Sequence, residues 1–455
     1  MAKKAAKSKA RPAKKPATKK TFNSKPKRAS QAAVVQTTEE NIIDAPFDLE
    51  VYISEVLEKA GLVRTDLART RPLKLVTSCS GIGTVAYVIK AILGPNSVDE
   101  LFAVEKDVAA TRVLLANHTP RCVFQEAADV MKALVDGKPI PCWKHGRCCA
   151  LPKEQEADVS QLPHITLEAA KAHMDHRKPP FTILENSAGL QSACGADEKS
   201  TALEFVMRNL PAGVECFEAN ARPLPTMRRR ILFFQPGQVG HAFAKLSASM
   251  PAHCCHMKHF LGELEQQDSQ QAPSADAASD AKMQSEYADY YARALQKAID
   301  CNKLPGDVYV PSASLRRSAK LKFGPWMSAQ IDVYDLMRKS AMTRTVGDEE
   351  EHDYVIADVS QSTNRGSMTR GGKIPTLTTA ARLFCFEPGK AGLITAEDCF
   401  KLHGHTCNSN WSWAGLSQCD IRNVVGNGMA CSTMVLAVCP VLQKLGYLAP
   451  QCKST

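Results

Sequence analysis

The stretch "LVTSCSGIGT", residues 75–84, decides how the rest of the chain is read. An apolar run ends at a pair of glycines, Gly81 and Gly83, and a helix is expected to follow. Such a strand–turn–helix unit presents backbone N–H groups at a positive helix end, where polar ligand atoms can approach closely. Many units carry glycines only for a tight turn, so the spacing to later residues matters. Glu105 closes the next apolar run, "ELFAVE" (100–105), 24 residues after Gly81. A carboxylate at that place can accept hydrogen bonds from ribose hydroxyls. Asp129 ends the following segment, within reach of an adenine edge. Three positions in this register predict a nucleoside site, with Ser80, Gly81, Ile82 and Gly83 as its loop.

The same rhythm extends outward. "LKLVTS" (73–78), "ELFAVE", the start of "RCVFQEAADVMKALV", "FTILEN" (181–186) and "RILFFQ" (230–235) are continuous apolar runs separated by helical patterns. Strands of that kind are buried on both faces, which predicts a doubly wound, mostly parallel Rossmann-like α/β sheet. After residue 236 the pattern changes. Residues 265–286, "EQQDSQQAPSADAASDAKMQSE", are low in complexity and are expected to form a flexible insertion. Helices are expected at "YADYYARALQKAI" and "PWMSAQIDVYDLMRKSAM", and a globular pattern returns near residue 354. The expected organisation is an arm and linker over 1–47, the first part of a catalytic domain over 48–235, a smaller recognition region over 236–353, and a return to the catalytic domain over 354–455.

The formal net charge of +10 is not spread evenly. Residues 1–28 hold twelve Lys or Arg and no Asp or Glu, leaving 45 basic against 47 acidic side chains elsewhere. An Ala/Lys/Pro arm cannot bury enough apolar surface to offset its ordering entropy, so disorder is expected there. Its charge suits a nucleic-acid phosphate backbone or a nuclear import receptor, implying a nuclear protein. No run of 18 apolar residues and no secretory h-region is evident, so neither a membrane span nor secretion is expected. The 17 cysteines therefore read as reduced thiols.

With these motifs in hand, the chain resembles the cytosine-5 DNA methyltransferase family. "SCSGIGT" is similar to its S-adenosyl-L-methionine loop and "FAVEKD" to its ribose-binding strand. "ILENSAGL" resembles the Glu-Asn-Val motif, and "PTMRRRILFF" the Gln-x-Arg-x-Arg motif. "GGKIPTLTT", "LITAEDCFKLHGH" and "IRNVVGNGMACSTMVLAV" resemble the later segments in the same order. The resemblance implies S-adenosyl-L-methionine as cofactor, DNA as substrate with RNA as the variant, and a target cytosine swung out of the duplex. It implies Glu185 as the acid at cytosine nitrogen 3, ordered by Asn186, with Arg228 and Arg230 holding the base and its phosphate. It also implies Asn427 on the cofactor side. Ser187, Thr226 and Lys106 depart from the family pattern, Lys106 by replacing an aromatic that stacks on adenine.

The family's nucleophile is a Pro-Cys pair, and the matching loop here, "QLPHIT" (161–166), carries Pro163 and His164. Histidine cannot form the carbon–sulfur adduct. Pro141-Cys142 reproduces the pair earlier in the chain, making Cys142 the alternative nucleophile, without a convincing apolar strand before it. Two clusters could bind zinc, Cys142/His145/Cys148/Cys149 and Cys254/Cys255/His256/His259. Neither has paired Cys-x-x-Cys spacing, so free thiols and no metal are expected. A catalytically silent relative, binding cofactor or DNA as a chromatin component, stays open beside an active DNA or RNA enzyme.

Overall fold

In the computed structural model, nine strands make the main sheet: β1 (Leu73–Ser78), β2 (Val98–Val104), β3 (Cys122–Phe124), β4 (Ile140–Cys142), β5 (Arg147–Cys149), β6 (Val159–Gln161), β7 (Phe181–Ser187), β8 (Glu215–Asn220) and β9 (Arg229–Gln235). Their order across the sheet is β8-β9-β7-β6-β1-β2-β3-β4-β5. The structure describes residues 42–78, 81–151, 158–161, 170–171, 173–175, 178–191, 201–262, 277–305, 323–342, 354–363, 368–369, 372–386, 391–406 and 411–451. The whole basic arm (1–28), Ser80, Pro163 and His164 lie outside them.

The five central strands run parallel, β3-β2-β1 to one side and β1-β6-β7 to the other. An antiparallel pair closes each end, β9 and β8 beyond β7, β4 and β5 beyond β3. Strand order reverses at β1/β6, the switch point where ligands of open α/β sheets bind beyond the carboxyl ends of the strands. This is the doubly wound, Rossmann-like sheet expected from the apolar runs.

Both faces are covered, as period-2 alternation in β9 shows. Leu232 and Phe234 join one core, Ile231 and Phe233 another. On the first face pack helices α1 (Leu49–Ala60), α2 (Thr84–Leu93), α5 (Gly237–Ser249) and α9 (Cys431–Lys444). Asp48 caps α1 by accepting from Glu50 N and Val51 N, and Gly61 ends it in the left-handed region. Leu49, Tyr52, Ile53, Val56 and Leu57 form its buried stripe at helical spacing. Helix α9 is buried at every position from Cys431 to Leu442. The stretch Gln418–Lys444 has the length and hydropathy of a membrane span, but 94% of its apolar window is buried inside this core. Helices α3 (Val108–Asn117) and α4 (Ala127–Asp136) follow β2 and β3.

A second core gathers helices α6 (Ala277–Asp300) and α7 (Pro325–Met342) over a small sheet of Ile356–Asp358, Met368–Thr369, Leu383–Cys385 and Gly392–Leu393. Two expectations change here. Residues 277–286, read as flexible, begin α6, whose Tyr287, Tyr291, Ala294 and Ala298 are buried at spacings of four, three and four. Tyr287 also donates its hydroxyl to the Asp332 carboxylate on α7. Residues 354–393 divide between this core, which takes Val355, Ala357, Val359, Phe384, Phe386 and Leu393, and a third that takes Ile356, Ile374, Leu377, Ala381, Leu383 and Cys385, whereas α5, placed by sequence in the recognition region, belongs to the first. The linker also gains structure at its end: Ile42–Ile43 pairs in parallel with Cys254–Cys255, and Asp44 holds Lys258 and His259.

Candidate active site

β1 reaches the carboxyl edge at Ser78, and the chain turns back through Gly81 and Gly83, both at positive φ (54° and 82°), into α2. Gly83 tolerates no side chain: a Cβ would stand 2.5 Å from Nε2 of the buried His118. Gly83→Ala is therefore expected to cost about 1–3 kcal/mol through backbone strain and displacement of His118, read as a lowered denaturation midpoint. At Gly81 the space beside the backbone is open. Its N–H donates to Glu105 Oε2 at 2.7 Å, and the Asp107 N–H donates to Oε1 at 2.9 Å. Glu105, buried at the end of β2, thus faces the loop. Burial pushes its carboxyl above the usual range, against the pull of those two N–H groups.

The other cofactor-side residues differ in what they present. Ile82 is fully buried among Ala110, Val113 and Leu224, so its side chain anchors the loop and only its backbone faces outward. Asp129 sits in the first turn of α4, half-buried, one turn beyond the strand end. Lys106 turns to Glu126 at 3.1 Å, across the ends of β2 and β3. Asn427 is exposed at the last position of helix α8 (Gln418–Asn427). Next to it, Gly426 is required by a close approach, since a Cβ there would meet the Thr378 carbonyl oxygen at 2.4 Å.

Glu185 lies on β7, opposite Leu232 of β9, and is 2% exposed. Residues two apart on a strand share a face, so Arg230 reaches Glu185 diagonally, Nε to Oε1 at 2.5 Å. The same alternation splits the triple arginine. Arg229 points away and pairs with Glu218 at 2.6 Å on the surface. Arg228 shares the inner side with Arg230 but does something the resemblance did not suggest. Its guanidinium donates to the carbonyls of Leu377 (2.6 Å), Gly426 (3.4 Å) and Gly428 (2.6 Å). It is 3% exposed, and burial, reinforced by Arg230 and opposed by Glu185, pushes it down to about 9, which leaves it charged at neutral pH. Arg228 thus ties the end of α8 to the 377 segment and positions the site, rather than presenting a guanidinium to a phosphate.

A small recess beside this pair is walled by Glu185, Arg228, Arg230, Met429, Ala430, Thr433 and Met434. Sequence reasoning did not single out Met429, Thr433 or His403. His403 lies wholly buried near Gly428, its ring held neutral by burial and then by Arg228, His405 and Arg230. The signal was available only in the motif "LHGH", which marks a segment without naming the residue that turns inward.

Among the described residues, no cysteine walls the recess. Cys142 is excluded as a nucleophile for a base held by Glu185, because β4 stands five strands from β7 across the sheet. At about 4.8 Å per strand, that is about 24 Å. A short strand, β4, does lead into Cys142, contrary to expectation, but at the wrong edge. The "ADV" segment is placed as expected. Asp158 clamps it to β1, accepting from Lys74 N at 3.0 Å and from Arg71 at 2.9 Å, and β6 then runs between β1 and β7. β6 therefore ends, at Gln161, on the edge that holds Glu185 and the glycine loop. The second proposed thiol cluster is not assembled: Cys254 and Cys255 are buried in a strand, His256 turns to Tyr354 and His259 to Asp44.

Among solved structures, the chain is similar to a crystal structure of the S. pombe Dnmt2 methyltransferase, at 12% identity over 82% of this chain and 99% of that one, with a TM-score of 0.39. No family model matches the chain, and no curated protein matches its sequence. The fold assignment stands on the strand order itself.

Proposed function

We propose that the protein is an S-adenosyl-L-methionine-dependent methyltransferase that acts on cytosine in DNA. The observation that carries this reading is the Glu185–Arg230 pair, buried at the sheet edge that also carries the glycine loop and Glu105. The glycine loop and the Glu105 carboxylate it orients would hold the cofactor, which when bound supplies an electrophilic methyl group. The fit is supported by the open space at Gly81 and by a buried carboxylate already aimed at the loop. Glu185 would stabilise charge developing at nitrogen 3 of the base, and Arg230 fixes the carboxylate for that task. The basic arm would hold the phosphate backbone and direct the protein to the nucleus.

A second reading, cofactor and DNA binding without methyl transfer, is favoured by the lack of a cysteine among the described residues of the recess and by His164 in the nucleophile's place in the sequence. Incubation with radiolabelled cofactor and either DNA or RNA separates these. Label recovered as 5-methylcytosine in DNA supports the first, and label only in RNA moves the substrate. Cofactor binding with no label on either nucleic acid establishes the second.

Cofactor affinity should depend on pH in a defined sense. Only ionised Glu105 offers a full acceptor to ribose hydroxyls, and its pKa is raised. Affinity should therefore be fully present where Glu105 is ionised and fall with acidification, starting at a higher pH than an ordinary carboxylate would set. Calorimetric titration checks this, and Glu105→Ala should bind weakly with the pH slope removed.

A further inference from the structure

At the opposite edge of the sheet, four residues from three strands and a turn converge. Cys122 opens β3, Cys142 closes β4, His145 lies in the turn that follows, and Cys149 closes β5. Their ligand atoms, three Sγ and one imidazole nitrogen, all lie within 4.8 Å of one another. His145 Nδ1 stands 3.4 Å from Cys142 Sγ and 3.2 Å from Cys149 Sγ.

Strand alternation selects these residues. Cys142 faces Phe124 in the ladder, and Cys122, two residues before Phe124, is on the same face. Across the hairpin, Ile140 pairs with Cys149 and Cys142 with Arg147, so Cys149 shares the face of Cys142. Cys148, paired with Pro141, projects from the other face and is exposed. The turn is also held without help from any ligand: Trp143 N–H donates to the Val123 carbonyl at 2.7 Å and Lys144 to the Pro120 carbonyl at 2.5 Å.

We propose that Cys122, Cys142, His145 and Cys149 bind one zinc ion and so fasten the β4–β5 hairpin to the edge of the sheet. Zinc bound tetrahedrally at about 2.3 Å from sulfur and about 2.0–2.1 Å from nitrogen needs ligand atoms about 3.5–3.8 Å apart, close to the spacing present. Soft thiolates with one imidazole in a tetrahedral set select zinc over magnesium, calcium or manganese. Four protein ligands leave no open position, so the site is structural. The linear sequence showed three of the four, Cys142, His145 and Cys149, but grouped them with the neighbouring Cys148, because Cys122 lies 20 residues before Cys142.

The test is metal content of the full-length protein, purified under reducing conditions and dialysed, measured by mass spectrometry. About one zinc per chain is expected. Cys149→Ser, Cys122→Ser and His145→Ala should each lose most of it, while Cys148→Ser keeps it. His145→Cys should retain zinc as a four-thiolate site, which guards against the other variants simply failing to fold. Cobalt substituted for zinc should give thiolate charge-transfer bands and the intense visible absorption of a tetrahedral ion. The proposal is overturned if the wild-type protein neither carries nor takes up zinc, or if Cys148→Ser loses it as fully as Cys149→Ser. A Cys142–Cys149 disulfide in the reduced-purified protein would overturn it equally.

Discussion

Glu185→Gln is expected to lower methyl transfer to cytosine-containing DNA by about 10²–10⁴-fold, the range lost with a positioned general acid, while leaving cofactor affinity unchanged. The carboxamide keeps the volume of the side chain and an oxygen that can still accept from Arg230, so the recess keeps its shape. What it loses is the negative charge and the ability to carry a proton to the base. Because Arg230 is only 14% exposed, weakening its charge-assisted bond should also cost about 1–3 kcal/mol of stability. Transfer rates and a denaturation curve, taken on the same preparation, separate the two effects. A rate within threefold of wild type would remove Glu185 from the chemistry.

Arg228→Met should destabilise the fold by about 3–5 kcal/mol, the range seen when one member of a buried charged network is removed. The guanidinium reaches three backbone carbonyls from two separate segments, and methionine would leave all three buried without their donor. Lysine retains the charge but cannot fork to Leu377 and Gly428 together, so Arg228→Lys should recover only part of the loss. Urea denaturation checks the ranking of wild type, Lys and Met. Equal midpoints for wild type and Met would show that the carbonyls find other partners.

The sheet was legible because its central strands are apolar on both faces, and "LKLVTS", "FTILEN" and "RILFFQ" each fell where expected. The separation of Arg228 and Arg230 from Arg229 follows from a two-residue period, but the pairing of Arg230 with Glu185 was not read from the sequence, which gave both arginines to the base and its phosphate. Sheet order was not legible. Whether Cys142 could approach Glu185 depends on which strands become neighbours, a non-local matter, and the antiparallel hairpin added beyond β3 carries the cysteine to the far edge. Asp129 shifted because "EAAD" starts a helix earlier than the strand-end reading supposed. The helix was expected at "YADYYARALQKAI", but its first ten residues, 277–286, were hidden by polar, alanine-rich composition; Tyr287 and Tyr291 anchor the helix in the second core, a tertiary effect that composition cannot report.

The central claim is that one edge of the sheet holds both the cofactor loop and the base-holding pair. Ultraviolet crosslinking of tritiated S-adenosyl-L-methionine, followed by peptide mapping, tests it most directly. The label should fall on peptides spanning the loop and β2, within residues 75–107, and should be lost in Glu105→Ala. Label confined to the β4–β5 hairpin or to the second core, or unchanged by that substitution, would contradict the account.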